Sequence, residues 1–318
     1  MLKIHVDVKL PASRVKELVE YHYTLIVKSI SKVRAAYRVE TDQGVFAFKN
    51  AYKLQDIDFI EKMIQTLHRQ GFHRIPKIIF CKDHRRLISY AKELYYLEEW
   101  LPNVTEVNRN KMNWLTPAGE TLSEYHQILA KIPLDIIPKQ RDSTGKWEAK
   151  LQKSLRRLQK ICKRTFRTDW EQTLYSFFHD RLLYAQNLLE SSGPSPFSPT
   201  LCHGSLHHEN IMIDPSNKVW LIDYERMTWE DPTKDLAQLM EYHFPSHDWP
   251  KAPIEEFLSS YCGTSVGLDD IPYLKARLAA SSKLLRNFRA FYQGEIEYDM
   301  QTINWLKKER AKEHLWSR

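Results

Sequence analysis

The chain has 318 residues, and 47 Lys and Arg against 40 Asp and Glu leave it a net charge of +7. That length favours one large domain or two lobes around a real core, and 42% hydrophobic with 27% charged residues excludes a disordered or collagen-like chain. No apolar run approaches the roughly 20 residues of a membrane span, and the opening MLKIHVDVKL lacks the apolar stretch and cleavage site of a signal peptide.

In chain order, Leu25–Val33, Ala36–Glu40 and Val45–Ala51 are rich in Val, Ile, Phe and Tyr and are predicted strands. Thr41 to Gly44 (TDQG) joins the last two as a tight hairpin. A helix is predicted from Asp56 to Gln70, where Ile57, Ile60, Ile64 and Leu67 recur at three and four and Gly71 stands at the left-handed C-cap position. Strands follow at Lys77–Cys81, Leu87–Tyr90 and Tyr95–Trp100. From Leu101 the pattern turns helical, with periodic stretches near Thr116–Lys131, Glu148–Arg167, Trp170–Ser191, Thr233–Tyr242, Pro253–Tyr261, Ile271–Tyr292 and Gln301–Leu315. A loop at Ser192–Pro199 and two short strands, Asn210–Ile213 and Val219–Ile222, interrupt them. The expected architecture is α+β: a small antiparallel-sheet lobe over residues 1–100, then a large, mainly helical lobe over 101–318.

Residues 201–237 carry the chemistry. Leu201 to Asn210 reads LCHGSLHHEN, and Ile222, Asp223, Tyr224 and Glu225 follow a short strand. This block resembles the catalytic segment of the protein-kinase-like superfamily in its aminoglycoside phosphotransferase form, His-Gly-Asp-x-x-x-x-Asn and then Ile-Asp-Phe/Trp-Glu/Asp. Asn210 stands five residues after the position of the catalytic Asp, and Asp223 thirteen further on. Asp231, Pro232, Asp235, Leu236 and Ala237 match the helix start Asp-Pro-x-x-Asp-Leu-Ala. Taken singly, Asn210 and Asp223 are ordinary turn residues beside short strands; their joint spacing carries the likeness. The resemblance implies a two-lobed protein-kinase-like fold with ATP and Mg2+ as cofactors. Asn210 and Asp223 would be the hard-oxygen ligands that phosphoryl transfer asks of a metal site. His203 would brace the loop by a backbone hydrogen bond, and Asp235 would hold the loop or cap its helix.

Position 205 departs from the pattern. The family places there the Asp that accepts the proton of the attacking hydroxyl, and this chain has Ser205. A serine hydroxyl is no base near neutral pH, and losing a general base typically removes about 10²–10⁴-fold in rate. A loose transition state leans more on positioning and metal than on the base, which leaves room for residual turnover. Glu209, His207 and His208 are substitute bases off the family position.

By the same resemblance, Lys49 stands where a third-strand lysine meets the nucleotide phosphates. Glu61, on the apolar face of the helix after it, is the expected partner of Lys49; a surface Lys and a helix-edge Glu are the plainer alternative. Backbone groups around Glu98 and Glu99, in the link LEEWL, would meet adenine. The loop Ser31–Tyr37 has no glycine, in a chain with only 9, so backbone amides are poorly placed to close over phosphates. Lys32 or Arg34 would have to act instead, and ATP binding is expected to be reduced or lost.

Further features resemble spore coat proteins of the CotS type, the CotI/YutH/YsxE group: the strand end at Lys49, His68 to Phe72 (HRQGF) before Ile75 and Pro76, Tyr96 to Pro102 (YLEEWLP), and Leu122 to His126 (LSEYH). That likeness implies synthesis in a mother-cell cytoplasm and assembly onto the spore coat beside other coat proteins. Separately, Lys150, Lys153, Arg156, Arg157, Lys160, Lys163, Arg164 and Arg167 fall in one predicted helix with no acidic residue among them, beside the narrow stripe Leu151, Leu155, Leu158 and Cys162. Such a helix suits an anionic ligand or surface, or is a solvated face. Without those eight charges the count is 39 against 40. Nucleic acid is disfavoured, because the scattered Trp and Tyr read as core residues and not as stacking platforms.

Cys81, Cys162, Cys202 and Cys262 form no CxxC pair, so a reduced protein without disulfides is expected. Cys202 with His203, His207 and His208 matches no common zinc spacing, and Ser205 lacks the flanking glycines of a nucleophile elbow. The leading expectation is a kinase-fold spore coat protein with impaired catalysis, acting in assembly or ligand binding. The alternatives are an active small-molecule phosphotransferase of the aminoglycoside or choline kinase type, and a basic adaptor that binds a polyanion.

Overall fold

The computed structural model describes residues 10–52, 54, 56–108, 110–161, 166 and 168–316. The first nine residues of the chain, and Cys162, Lys163, Arg164 and Arg167 of the expected basic helix, lie outside the described residues. The chain divides into two compact units, Met1–Val104 and Thr105–Arg318.

In the first unit, helix α1 (Ala12–His22) precedes strands β1 (Val27–Val33), β2 (Ala36–Thr41) and β3 (Gly44–Asn50). Helix α2 (Ile57–Arg69) and strands β4 (Ile78–Ile79), β5 (Ile88–Tyr90) and β6 (Glu93–Glu99) follow. The sheet is antiparallel in the order β1-β2-β3-β6-β4, and β5 also pairs with β6. Thr41 to Gly44 makes the expected hairpin, with Gly44 at φ +135° and Asp42 accepting from Ile26 N–H at 2.7 Å. The period-two pattern buries Tyr37, Val39, Phe48, Tyr95 and Leu97 on one face, where Val15, Leu18 and Val19 of α1 cover them. Phe48 and Tyr95 stack there at 5.2 Å between ring centroids. Helix α2 ends as its sequence expects. Gly71 sits at φ +89°, and Phe72 N–H bonds the Leu67 carbonyl at 2.9 Å, closing a Schellman turn.

The second unit begins with β7 (Thr105–Glu106) and runs through α3 (Leu115–Leu129), α4 (Lys146–Ile161) and α5 (Asp169–Ser192). Strands β8 (Thr200–Cys202), β9 (Ile211–Ile213), β10 (Val219–Leu221) and β11 (Thr228–Glu230) come next. Helices α6 (Thr233–His243), α7 (Lys251–Cys262), α8 (Pro272–Ala279), α9 (Ser282–Gln293) and α10 (Met300–Arg310) complete it. The strands form two small antiparallel sheets, β10-β9-β7 and β11-β8. Apolar residues of α4, α5, α8, α9 and α10 make one core, including Trp147, Phe178, Ala276, Phe288 and Trp305.

One expected helix, Ile271–Tyr292, is two. Ser281 caps the second segment by accepting from Leu284 N–H at 3.1 Å, and the Ala280 carbonyl leaves the helical ladder to accept from Trp147 Nε1 at 2.9 Å. Helices α3 and α7 pack so closely at Gly119 that an added Cβ would strike Ser260 Oγ and lie 2.7 Å from the Phe257 carbonyl oxygen.

Candidate active site

The loop after β8 is built around Asp235, a fully buried carboxylate in the first turn of α6. Its Oδ2 accepts from His203 N–H at 2.6 Å and its Oδ1 from Gly204 N–H at 2.9 Å. On its other side His126 of α3 supplies Nε2 to Oδ2 at 3.0 Å, and His126 Nδ1 meets the Tyr261 hydroxyl at 2.9 Å. Burial alone pushes the Asp235 pKa up; the hydrogen bond and charge of His126, with the loop amides, more than offset it and hold the carboxyl below its ordinary value. One helical turn on, Gln238 Oε1 accepts from Leu206 N–H at 2.8 Å. The loop backbone is therefore gripped at residues 203, 204 and 206 by two side chains of one helix face. Gly204 sits at φ +74°, and a Cβ there would strike the Arg226 carbonyl oxygen, so this position admits only glycine.

His203 is buried and donates Nε2–H to the Ile222 carbonyl at 3.0 Å. Desolvation drives its pKa below the histidine norm, which keeps the ring neutral. Ile222 N–H in turn bonds the Asn210 carbonyl at 3.1 Å. These two bonds tie the end of β10 to the loop and set Asp223 next to it in chain, in the left-handed region at φ 60°, ψ 54°. Asn210 is 2% exposed and donates Nδ2 to both the backbone oxygen (2.9 Å) and the hydroxyl (3.2 Å) of Ser205. Its amide nitrogen is thus committed inward, to Ser205. The Asn210 amide oxygen and the Asp223 carboxylate are hard oxygen donors, the type that Mg2+ prefers.

Glu209 lies between two imidazoles, 3.8 Å from His207 Nδ1 and 4.0 Å from His208 Nε2. A tight trio of His126, Cys202 and Asp235 also resembles a metal cluster. Its donors are already spent on one another and on backbone: Cys202 Sγ donates to the Asp231 carbonyl at 3.4 Å, and burial raises the thiol pKa well above normal.

The first unit corrects one expected pairing. Lys49 Nζ meets Glu98 Oε1 at 2.6 Å, whereas Glu61 is held by Arg86 Nη2 at 3.0 Å and by Gln65. The register explains the change. Ala47 pairs with Glu98 and Lys49 with Tyr96, so Lys49 and Glu98 are diagonal neighbours on one sheet face. Glu61 is buried as its helical position implies, but the apolar stripe could not say which cation reaches it. Glu99 is engaged otherwise too. Its carboxylate accepts from Lys77 N–H at 3.0 Å, and the N–H groups of Glu99 and Trp100 bond the Lys77 and Val45 carbonyls at 2.9 and 3.1 Å. Those two amides are committed to the sheet. In the glycine-free hairpin Arg34 takes φ 53°, and Lys32 Nζ lies 3.9 Å from the Tyr37 ring centroid.

Gln238 is the site residue that the sequence reading misses. Its signal is its place three residues after Asp235, which puts both on one helix face. His126 lies in the LSEYH segment already noted, but only the fold shows that it orients Asp235.

Residues 27–276 match the phosphotransferase enzyme family model. No curated protein sequence matches the chain. Among solved structures it is similar to an aminoglycoside phosphotransferase from Alicyclobacillus acidocaldarius, at 15% identity and a TM-score of 0.73 over 98% of this chain and 94% of that one. It is also similar to spectinomycin phosphotransferase in its AMP-bound complex, at 14% identity and a TM-score of 0.64 over 96% and 95% of the two chains. A choline kinase from Streptococcus pneumoniae matches at 17% identity and a TM-score of 0.54 over 96% and 99%. These likenesses establish the two-lobed kinase-like fold. With its family model matched from residue 27 to residue 276, the chain belongs to the phosphotransferase enzyme family.

Proposed function

We propose that this chain is a member of the family that keeps a weakened Mg2+–ATP binding while its catalysis is impaired, and that it works by binding, in the assembly of a bacterial spore coat. Position 205 carries the reading. The loop backbone is held by Asp235 and Gln238, and Asn210 is oriented inward, yet the hydroxyl it meets at 3.2 Å is that of Ser205 and no carboxylate. When bound, Mg2+–ATP supplies the phosphoryl group. Asn210 and Asp223 would hold the metal. Ser205 can hydrogen-bond an acceptor hydroxyl but cannot take its proton, which costs about 10²–10⁴-fold in rate. The coat role rests on the likeness to CotS-type proteins, with synthesis in the mother-cell cytoplasm before assembly.

Calorimetric titration with Mg2+–ATP tests the binding half. The expected result is saturable binding that Asp223→Ala abolishes; heat unaffected by that substitution would overturn the assignment. Immunodetection in purified spore coats tests the location, and absence from the coat would remove it.

The second reading, an active small-molecule phosphotransferase, draws on the same held loop and on the solved neighbours, which are named as phosphotransferases and kinases. Glu209, with His207 and His208 beside it, would then be the base. It expects robust turnover that Glu209→Gln abolishes.

A further inference from the structure

The basic helix does not stand alone. Trp147 of α4 donates to the Ala280 carbonyl just before α9, and Arg157 of α4 lies 5.0 Å from the Tyr292 ring centroid at the far end of α9. Contacts at both ends, advancing in the same direction along both helices, set α4 and α9 side by side and parallel. Their apolar stripes, Leu151, Leu155 and Leu158 on one and Leu284, Leu285 and Phe288 on the other, are turned into the core. On α4, Lys150, Lys153, Arg157 and Lys160 follow one another at three and four, so they share one flank. The Arg157–Tyr292 contact shows that this flank is the one toward α9. On α9, Lys283, Arg286 and Arg289 recur every third residue, all exposed, and α9 contains no Asp or Glu. The only acid on α4, Glu148, is turned away to the Tyr273 hydroxyl.

We propose that α4 and α9 form one two-helix cationic face that docks an acidic polypeptide segment, a surface separate from the phosphotransferase loop. The side chains of Lys150, Lys153, Arg156, Lys160, Lys283 and Arg286 have no hydrogen-bond or ion-pair partner among the described residues. Like charges spaced at three and four on a helix repel, and an anionic partner relieves them. The cation row from Lys150 to Lys160 runs about 15 Å, the reach of a short peptide segment. Other polyanions fit less well. An interfacial membrane helix needs an apolar face toward lipid, and here that face is buried in the core. Neither helix projects alone, as entry into a DNA major groove requires. The aromatic ring on the face, Tyr292, is covered by Arg157 and is not a platform for unpaired bases.

Fluorescence anisotropy with a labelled oligoglutamate, on the full chain, tests the proposal. Oligoglutamine of equal length, single- and double-stranded DNA, and vesicles with and without phosphatidylglycerol serve as comparisons. Oligoglutamate is expected to bind in a salt-sensitive way and in preference to the others. Arg286→Gln/Arg289→Gln and, separately, Lys153→Gln/Arg156→Gln are each expected to weaken it about tenfold, with thermal unfolding and Mg2+–ATP binding unchanged. The proposal is overturned if the α9 variant binds like the parent, if DNA or anionic vesicles bind more tightly than oligoglutamate, or if oligoglutamate does not bind.

Discussion

Replacing Asp235 probes the loop frame directly. The carboxylate is fully buried and accepts from His203 N–H, Gly204 N–H and His126 Nε2. Asp235→Ala leaves three buried donors unpaired, each costing about 1–3 kcal/mol, and water entering the vacated space repays part. The expected loss is about 3–5 kcal/mol, in the range seen when one partner of a buried charged pair is removed. Asp235→Asn keeps one acceptor oxygen but turns an NH2 group toward a donor, so its loss is expected near 2–3 kcal/mol. Urea unfolding monitored by circular dichroism measures both, and amide hydrogen exchange at residues 203 and 204 should accelerate in step. Because the folded-state pKa of Asp235 lies below its ordinary value, its contribution is complete above that value. It erodes only as pH falls through the depressed one. A loss below about 1 kcal/mol for Asp235→Ala, or exchange unchanged at those amides, would refute the idea that this carboxylate holds the loop.

Other expectations follow from single contacts. A double-mutant cycle on Lys49→Met and Glu98→Gln should show coupling of about 1–3 kcal/mol, and the cycle with Glu61→Gln should show none; the reverse would restore the pairing that the helix pattern suggests. Gly204→Ala combines a left-handed φ with a clash on Arg226, so a loss of at least about 1–3 kcal/mol with weakened Mg2+–ATP binding is expected by unfolding and calorimetry. Asp214 accepts from Ser216, Lys218 and Trp220, and these bonds outweigh its desolvation and bring its pKa from 3.8 to about 2. Its stabilising contribution is therefore present above pH 3.8 and lost as pH falls toward 2, which carboxyl-carbon NMR should show as a titration midpoint near 2.

Much of the framework was legible because local chemistry and tertiary need agree. The stripe Ile57, Ile60, Ile64 and Leu67 is buried, Gly71 closes α2, and Gly44 turns the β2–β3 hairpin. The order of predicted strands and then helices gave the two-lobed architecture, and the resemblance carried by His203, Asn210, Asp223 and Asp235 implied the kinase-like fold. Partner choice was not. A helical stripe tells that Glu61 is buried, but its cation comes from Arg86, outside the helix, and Lys49 is claimed by the strand register. The break in Ile271–Tyr292 depends on Trp147, which lies 133 residues away in the chain from Ala280. Helix α1 carries only Val15, Leu18 and Val19 as a signal, a stripe that gains meaning once a sheet face is there to receive it.

The most direct test of the central claim is ATP turnover by the parent protein and by Ser205→Asp, measured at saturating Mg2+–ATP with Kd determined alongside. A retained frame lacking its base predicts a gain toward about 10²–10⁴-fold on restoring the carboxylate, with Kd unchanged. A parent that turns over briskly, and whose rate Ser205→Asp leaves alone or lowers, would contradict it.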